Sequence, residues 1–272
     1  MILVSKEPVK VLTVGGSDSG GAAGIQADLK TWTAMGVYGM SAITAVTAQN
    51  SVTVEAVQFV SAELVAAQID AVLSDYGAQA VKTGFIGRAD LIEQVADSLK
   101  DYDEGPLVVD PVLVNHKGHS MFPAQVAAAY GSALLPLAAL VTPNWREAAL
   151  LCGNELERPP QETDVRAAAE TLCEKGAEQA LITGVPGEYG AIVDWWYDGE
   201  ALHPLPQQQI LTENRHGSGD TLSAAICANL ALDMETAVAI VKAQEFCARA
   251  LQAAKAWRLG RGHGPLSHLD MK

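Results

Sequence analysis

Cysteine is scarce in this chain: four thiols, Cys152, Cys173, Cys227 and Cys247, with no CxxC pair. That spacing argues against a disulfide framework and a zinc-thiolate cluster, and buried free thiols are the expectation. No uninterrupted apolar run reaches membrane-spanning length, and the start, MILVSKEPVKVLTVGG, carries no long apolar stretch before a cleavage site. A cytoplasmic protein with no membrane partner is expected. Basic residues are outnumbered, 18 Lys+Arg against 32 Asp+Glu, for a formal charge of −14. Such a surface repels phosphodiester backbones and anionic lipid, so nucleic acid is not an expected partner. A small anionic substrate is still allowed, because one local pocket can oppose the global sign. Neither G-x-G-x-x-G nor GxxxxGK[ST] occurs, which weakens a Rossmann dehydrogenase and a P-loop kinase.

Apolar residues make up 49% of 272 and charged residues 18%, enough for a sizeable core and unlike a disordered chain. Strand-like runs alternate with helical stretches. Strands are expected at 9–14, 41–48, 80–83, 107–109, 139–142 and 179–183, with antiparallel strands over 190–206. Helices are expected at 23–35, 62–74, 90–99, 123–134, 146–152 and 164–174, with two long ones near 219–231 and 234–256. This alternation implies an α/β fold with a mostly parallel sheet and helices on both faces. There is no internal repeat, and the densest turn stretch, 154–163, is too short for a linker. Residues 1–272 read as one domain.

Ligands of open parallel sheets sit beyond the carboxyl ends of the strands, and the informative residues follow strands here. The sharpest is His216-Gly217-Ser218-Gly219-Asp220-Thr221 before the apolar run TLSAAICANLAL. Glycines let successive N–H groups point one way, and the helix adds its positive end, giving a hole for phosphate oxygens. Asp220 at its rim can take the proton of an attacking hydroxyl; the plainer reading is a helix cap. The loop 15–24 holds five glycines within ten residues, more than a strand–helix turn needs. In Thr142-Pro143-Asn144-Trp145-Arg146-Glu147, Asn144 and Glu147 share one face and could hold a hydrated Mg²⁺ beside nucleotide phosphates, or simply form a capping box. Asp110-Pro111 could serve magnesium or end a strand. Lys82 and Lys117 could neutralise phosphate, but a solvated lysine is the default.

Residues 15–51, GGSDSGGAAGIQADLKTWTAMGVYGMSAITAVTAQNS, resemble the amino-terminal signature of hydroxymethylpyrimidine/phosphomethylpyrimidine kinases. VKTGFIG (81–87), VVDPVLV (108–114), TPNWREA (142–148), HGSGDTLSAAICANLA (216–231) and GHGPLSHL (262–269) resemble that family's later blocks, in order. The resemblance implies a ribokinase-like fold with a large central sheet of about eight or more strands. It implies transfer of the ATP γ-phosphoryl to the hydroxymethyl group of 4-amino-5-hydroxymethyl-2-methylpyrimidine, a second transfer to the monophosphate, a place in thiamine synthesis, and a homodimer. By motif position it implies substrate contacts from Gly16, Ala23, Asp28, Gln49, Phe85 and Val112. Asn144, Thr183, Gly184 and Gly219 would bind Mg–ATP, with Glu147 and Asp110 toward the metal. Gly217, Ser218, Gly219 and Asp220 would carry the transfer. The family usually has cysteine where this chain has Asp220, Lys-Gly-Gly where it has Thr183-Gly184-Val185, and methionine where it has Phe85. Alternatives are a pyridoxal or pyridoxine kinase on the same fold, which suits Asp220, or a non-catalytic ligand sensor.

Overall fold

The computed structural model describes residues 7–102, 105–115, 117–154 and 158–269. Strands β1 (Lys10–Asp18), β2 (Tyr38–Gln49), β3 (Val54–Phe59), β4 (Ala80–Thr83), β5 (Leu107–Val109), β6 (Leu140–Val141), β7 (Ala180–Pro186), β8 (Ile192–Tyr197) and β9 (Leu202–Gln207) form one sheet. Its order is β3-β2-β1-β4-β5-β6-β7-β8-β9. The pairs from β2 through β7 are parallel, and β3, β8 and β9 add antiparallel edges.

The helices are α1 (Gly24–Met35), α2 (Ala62–Leu73), α3 (Ala89–Lys100), α4 (Ala124–Ala129), α5 (Trp145–Leu151), α6 (Glu162–Glu174), α7 (Ser218–Ala231) and α8 (Thr236–Ala254). The period-2 alternation of a strand sorts its residues between two cores. Val11, Ala80, Val108, Leu140 and Leu181 pack on one face with Trp32 of α1, Ala224 and Ala228 of α7 and Phe246 of α8. Their neighbours Leu12, Val81, Val109, Val141 and Ile182 face α2 to α6 on the other. Both faces are covered, which is why these strands read as continuous apolar runs. The indole of Trp32 donates to the Ala224 carbonyl at 2.8 Å, tying α1 to α7.

Two elements differ from the sequence reading. The strand β3 was not expected; its residues Val54–Gln58 are exposed, so no buried face imposes a pattern on them. The helix expected over 123–134 is regular only to Ala129, then widens into a π turn at Tyr130–Leu134 and a 3₁₀ turn at Leu135–Leu137. Pro136, with no N–H and a fixed ring, cannot continue it. The four cysteines are free thiols. Among the described residues no helix is long and apolar enough to cross a membrane.

From β1 the chain moves outward to β2 and β3, then returns through α2 to β4 on the other side of β1. This reversal opens a crevice beyond the carboxyl ends of β1 and β4, the place where open α/β sheets bind ligands.

Candidate active site

The crevice is lined by Gly16 and Phe85. A Cβ on Gly16 would stand 2.9 Å from Phe85 Cδ1, so this ring needs glycine opposite it. Phe85 stacks on Phe59 with centroids 6.2 Å apart and tilts against Phe122 at 5.5 Å. Val112 is half-buried just past β5. The glycine-rich loop is shaped by Asp18, whose carboxylate accepts from the N–H groups of Gly20 at 2.8 Å and of Ala22 and Ala23 at 2.9 Å. The Ala23 N–H expected beside substrate is therefore engaged within the loop.

The largest departure from the sequence reading is Lys82. It is 0% exposed, not solvated, while Lys117 is exposed. Its ammonium lies 2.6 Å from Asp28 Oδ1, 3.6 Å from Asp220 Oδ1 and 3.8 Å from Asp110 Oδ2. Three elements far apart in sequence bring these carboxylates together: α1, the end of β5, and the first turn of α7. Burial alone would strip a proton from Lys82, but Asp28, Asp220 and Asp110 outweigh it and hold the ammonium above its ordinary range. Burial in turn pushes Asp28 up to about 7 and Asp110 up to about 6, against the pull of Lys82 and with the repulsion of Asp220. Asp28 was expected to bind substrate. Its two oxygens are instead taken by Lys82 and by the Thr13 hydroxyl, at 2.7 Å, and it is 1% exposed, so it acts on the crevice through Lys82. Asp110 Oδ2 accepts from the Ser223 hydroxyl at 2.7 Å.

Asp220 stands on the first turn of α7 with its side chain 15% exposed, at the mouth of the crevice. Gly217 caps this helix with φ +83, and a Cβ there would meet the Ala22 carbonyl at 1.9 Å. Only glycine lets the two loops pack together. The Ser218 N–H donates to the Arg215 carbonyl at 3.2 Å and that of Thr221 to Gly217 at 2.9 Å. The donors between them, on Gly219 and Asp220, are of the kind a helix start leaves without an intrahelical acceptor. Gln49 at the end of β2 reaches this turn, with Nε2 2.9 Å from Nε2 of His216. The carboxyl-terminal segment closes behind it. Gly264 accepts from the His216 N–H at 3.0 Å, and His268 Nε2 lies 2.9 Å from the Thr221 hydroxyl. Burial holds that imidazole down at about 4.

On the β6–β7 side, Asn144 Oδ1 accepts from the N–H groups of Arg146 and Glu147, and Glu147 Oε2 accepts from Asn144 N–H at 3.1 Å. The capping box is real, but it is not all that Glu147 does. Its Oε1 reaches across to the N–H groups of Leu113 at 3.0 Å and Val114 at 3.4 Å, fixing the loop after Asp110. Burial and Asp110 push Glu147 up to about 8 against these donors. Asn144 bridges to Thr183, and a bulge in β7 releases Thr183 and Gly184 toward the same edge.

One edge thus carries Gly16, Phe85 and Gln49, then Lys82, Asp110 and Asp220, then Asn144, Thr183 and Gly184. Asp18, Lys82, Phe59, Phe122 and His216 complete the site. Asp18, Lys82 and His216 lay inside the quoted motifs, Lys82 with a solvated side chain as its default reading, but nothing in sequence marked Phe59 or Phe122.

The family model described as phosphomethylpyrimidine kinase matches residues 18–267. A hydroxymethylpyrimidine/phosphomethylpyrimidine kinase of Rhizobium meliloti is 44% identical over 94% of this chain and 96% of its own. A thiamine biosynthesis bifunctional protein of Geobacter sulfurreducens is 42% identical over 95% of this chain and 52% of its own. The solved pyridoxal kinase of Staphylococcus aureus in complex with AMP-PCP and pyridoxal superposes with a TM-score of 0.86 at 32% identity, over 97% of this chain and 94% of that one. By sequence and by fold together, this chain belongs to the phosphomethylpyrimidine kinase family.

Proposed function

We propose that this chain, as a single kinase domain over residues 1–272, transfers the γ-phosphoryl group of ATP to the hydroxymethyl oxygen of 4-amino-5-hydroxymethyl-2-methylpyrimidine, and then a second phosphoryl to the monophosphate, on the route to thiamine. The observation that carries this is the bracketing of one crevice by Gln49, 2.9 Å from His216, and by Asp220 four residues further on. A heterocycle paired to Gln49 has its hydroxymethyl arm toward Asp220. Phe85 and Val112 supply apolar faces for the heterocycle, and Gly16 leaves room for the Phe85 ring itself.

Asp220 takes the hydroxyl proton as the oxygen attacks. Lys82 fixes the direction of that carboxylate and offsets charge gathered beneath the reacting group. The first turn of α7, from Gly217 to Gly219, with the Ser218 residue between them, presents donors and a positive helix end to the phosphoryl oxygens. Magnesium suits the donor set. Asp110 and Glu147 are two buried carboxylates close enough to repel each other, and this ion needs only one or two carboxylates with waters and phosphate oxygens. Asp110 and Glu147 would hold the hydrated ion through its waters, since both Glu147 oxygens already accept backbone N–H groups, with Asn144, Thr183 and Gly184 toward the nucleotide. When bound, magnesium neutralises charge on the phosphates. A cytoplasmic homodimer belongs to the same reading.

Pyridoxal kinase is the second reading, favoured by Asp220 and by the pyridoxal-bound neighbour. ADP release with the hydroxymethylpyrimidine, its monophosphate and pyridoxal in parallel decides between them. The first reading expects turnover on both pyrimidines and weaker turnover on pyridoxal. Preference for pyridoxal, or ADP release with none of the three, contradicts it.

A further inference from the structure

Gln49 has its backbone pinned at the end of β2 and its side-chain amide tied to His216. Its backbone N–H donates to the Ser19 hydroxyl at 2.8 Å, and that hydroxyl donates to the Gln49 carbonyl at 2.8 Å. The side-chain Nε2 lies 2.9 Å from His216 Nε2. An amide nitrogen carries two hydrogens and does not accept, so the imidazole nitrogen accepts here and the ring proton sits on Nδ1. Thr47 Oγ1 lies 3.5 Å from Gln49 Oε1, but it donates its one proton to the Ser17 carbonyl at 3.0 Å. Gln49 Oε1 is left to accept, and the second amide hydrogen beside it is left to donate. His216 is itself anchored through its N–H to Gly264, and its neighbour Gly217 is wedged against Ala22.

We propose that His216 is the residue that sets substrate specificity through Gln49. By holding one amide hydrogen, it presents Oε1 and the other hydrogen as an acceptor–donor edge. The pocket then selects a heteroaromatic ring with an exocyclic N–H donor beside the hydroxymethyl-bearing carbon and a ring-nitrogen acceptor next to that. It rejects a ring with a carbonyl oxygen at the first position, where two acceptors would meet. This deepens the pyrimidine reading and rests on its placement of Gln49.

Two measurements that need no turnover test it. Long-range ¹H–¹⁵N spectra of the imidazole in the ligand-free protein are expected to show His216 with Nδ1 protonated and Nε2 bare, and Gln49→Leu is expected to shift that Nε2 signal. A proton on Nε2 overturns the proposal, since the amide would then be turned the other way. The second is the ratio of dissociation constants for the aminopyrimidine and for its counterpart with a carbonyl in place of the amine. The parent is expected to favour the amine by at least about tenfold. His216→Ala keeps the backbone contact to Gly264 and is expected to bring the ratio toward one with ATP binding unchanged. His216→Asn, whose side-chain oxygen can accept the same N–H, is expected to restore most of it. A ratio unmoved in His216→Ala overturns the proposal. ADP release from neither pyrimidine would sink the kinase reading instead, and the tautomer and binding ratio would still decide this one.

Discussion

Lys82 Nζ lies 2.6 Å from Asp28 Oδ1, and neither side chain is more than 1% exposed. A buried pair of this kind is costly to break from one side, because the remaining charge stays in low dielectric.

Lys82→Met should destabilise the fold by about 3–5 kcal/mol, and Asp28→Asn should do so by less, since Asp110 and Asp220 still face the ammonium. The double variant should cost less than the sum of the two, as expected for contacting groups. Urea unfolding of the four proteins measures this; strict additivity would deny the pair its energetic coupling.

Glu147 sits at about 8 in the folded protein against an ordinary 4.5. The folded state therefore holds the proton more tightly than the unfolded state. Its stabilising contribution is full below about pH 4.5 and is lost as pH rises through 8. Glu147→Gln lacks this titration, so the parent should lose stability relative to the variant between pH 5 and 9. A difference independent of pH would contradict the assignment. The variant should also need more Mg²⁺ for half-maximal turnover; an unchanged requirement would leave Glu147 with its capping and loop-fixing bonds alone.

Two glycines of one turn should respond differently. Gly217→Ala must relieve a contact of 1.9 Å at positive φ, so melting temperature and activity should fall together. Gly219→Ala meets nothing within 4 Å, so the fold should be unaffected while kcat falls, because the added methyl stands where phosphoryl oxygens approach. Equal loss of stability in both variants would show that the turn serves folding alone.

Gln49→Ala should raise KM for the pyrimidine far more than for ATP, since of the two substrates the amide is read as pairing with the heterocycle and not with the nucleotide. Steady-state kinetics with each substrate varied in turn checks this, and an unchanged pyrimidine KM would remove Gln49 from the site.

The parallel sheet was legible because two-sided burial leaves apolar runs, and Leu107–Val109 ended where Asp110-Pro111 said it would. The turn at His216–Thr221 was legible as a helix start because its glycines stand directly before an apolar helical run. Lys82 was not, because a lysine in AVKT looks like any strand residue until Asp28, Asp110 and Asp220 arrive from three directions. Asp28 was expected at the substrate and not beneath Lys82 for the same reason: one turn of α1 decides which side its carboxylate faces. Phe59, on a strand with exposed residues on both faces, meets Phe85 only through the β2–β3 pairing. The two ends of the chain's logic, Ser51 and Gly262, touch across more than two hundred residues, and local pattern carries no trace of such contacts.

Asp220→Asn tests the central claim most directly. Asparagine keeps the size of the side chain and its place on α7 but takes no proton, and Asp28 and Asp110 still neutralise Lys82. Single-turnover phosphoryl transfer to the hydroxymethylpyrimidine should slow by about 10²–10⁴-fold, with the melting temperature within a few degrees of the parent. A variant as fast as the parent would contradict the account and leave Asp220 as a helix-terminal charge.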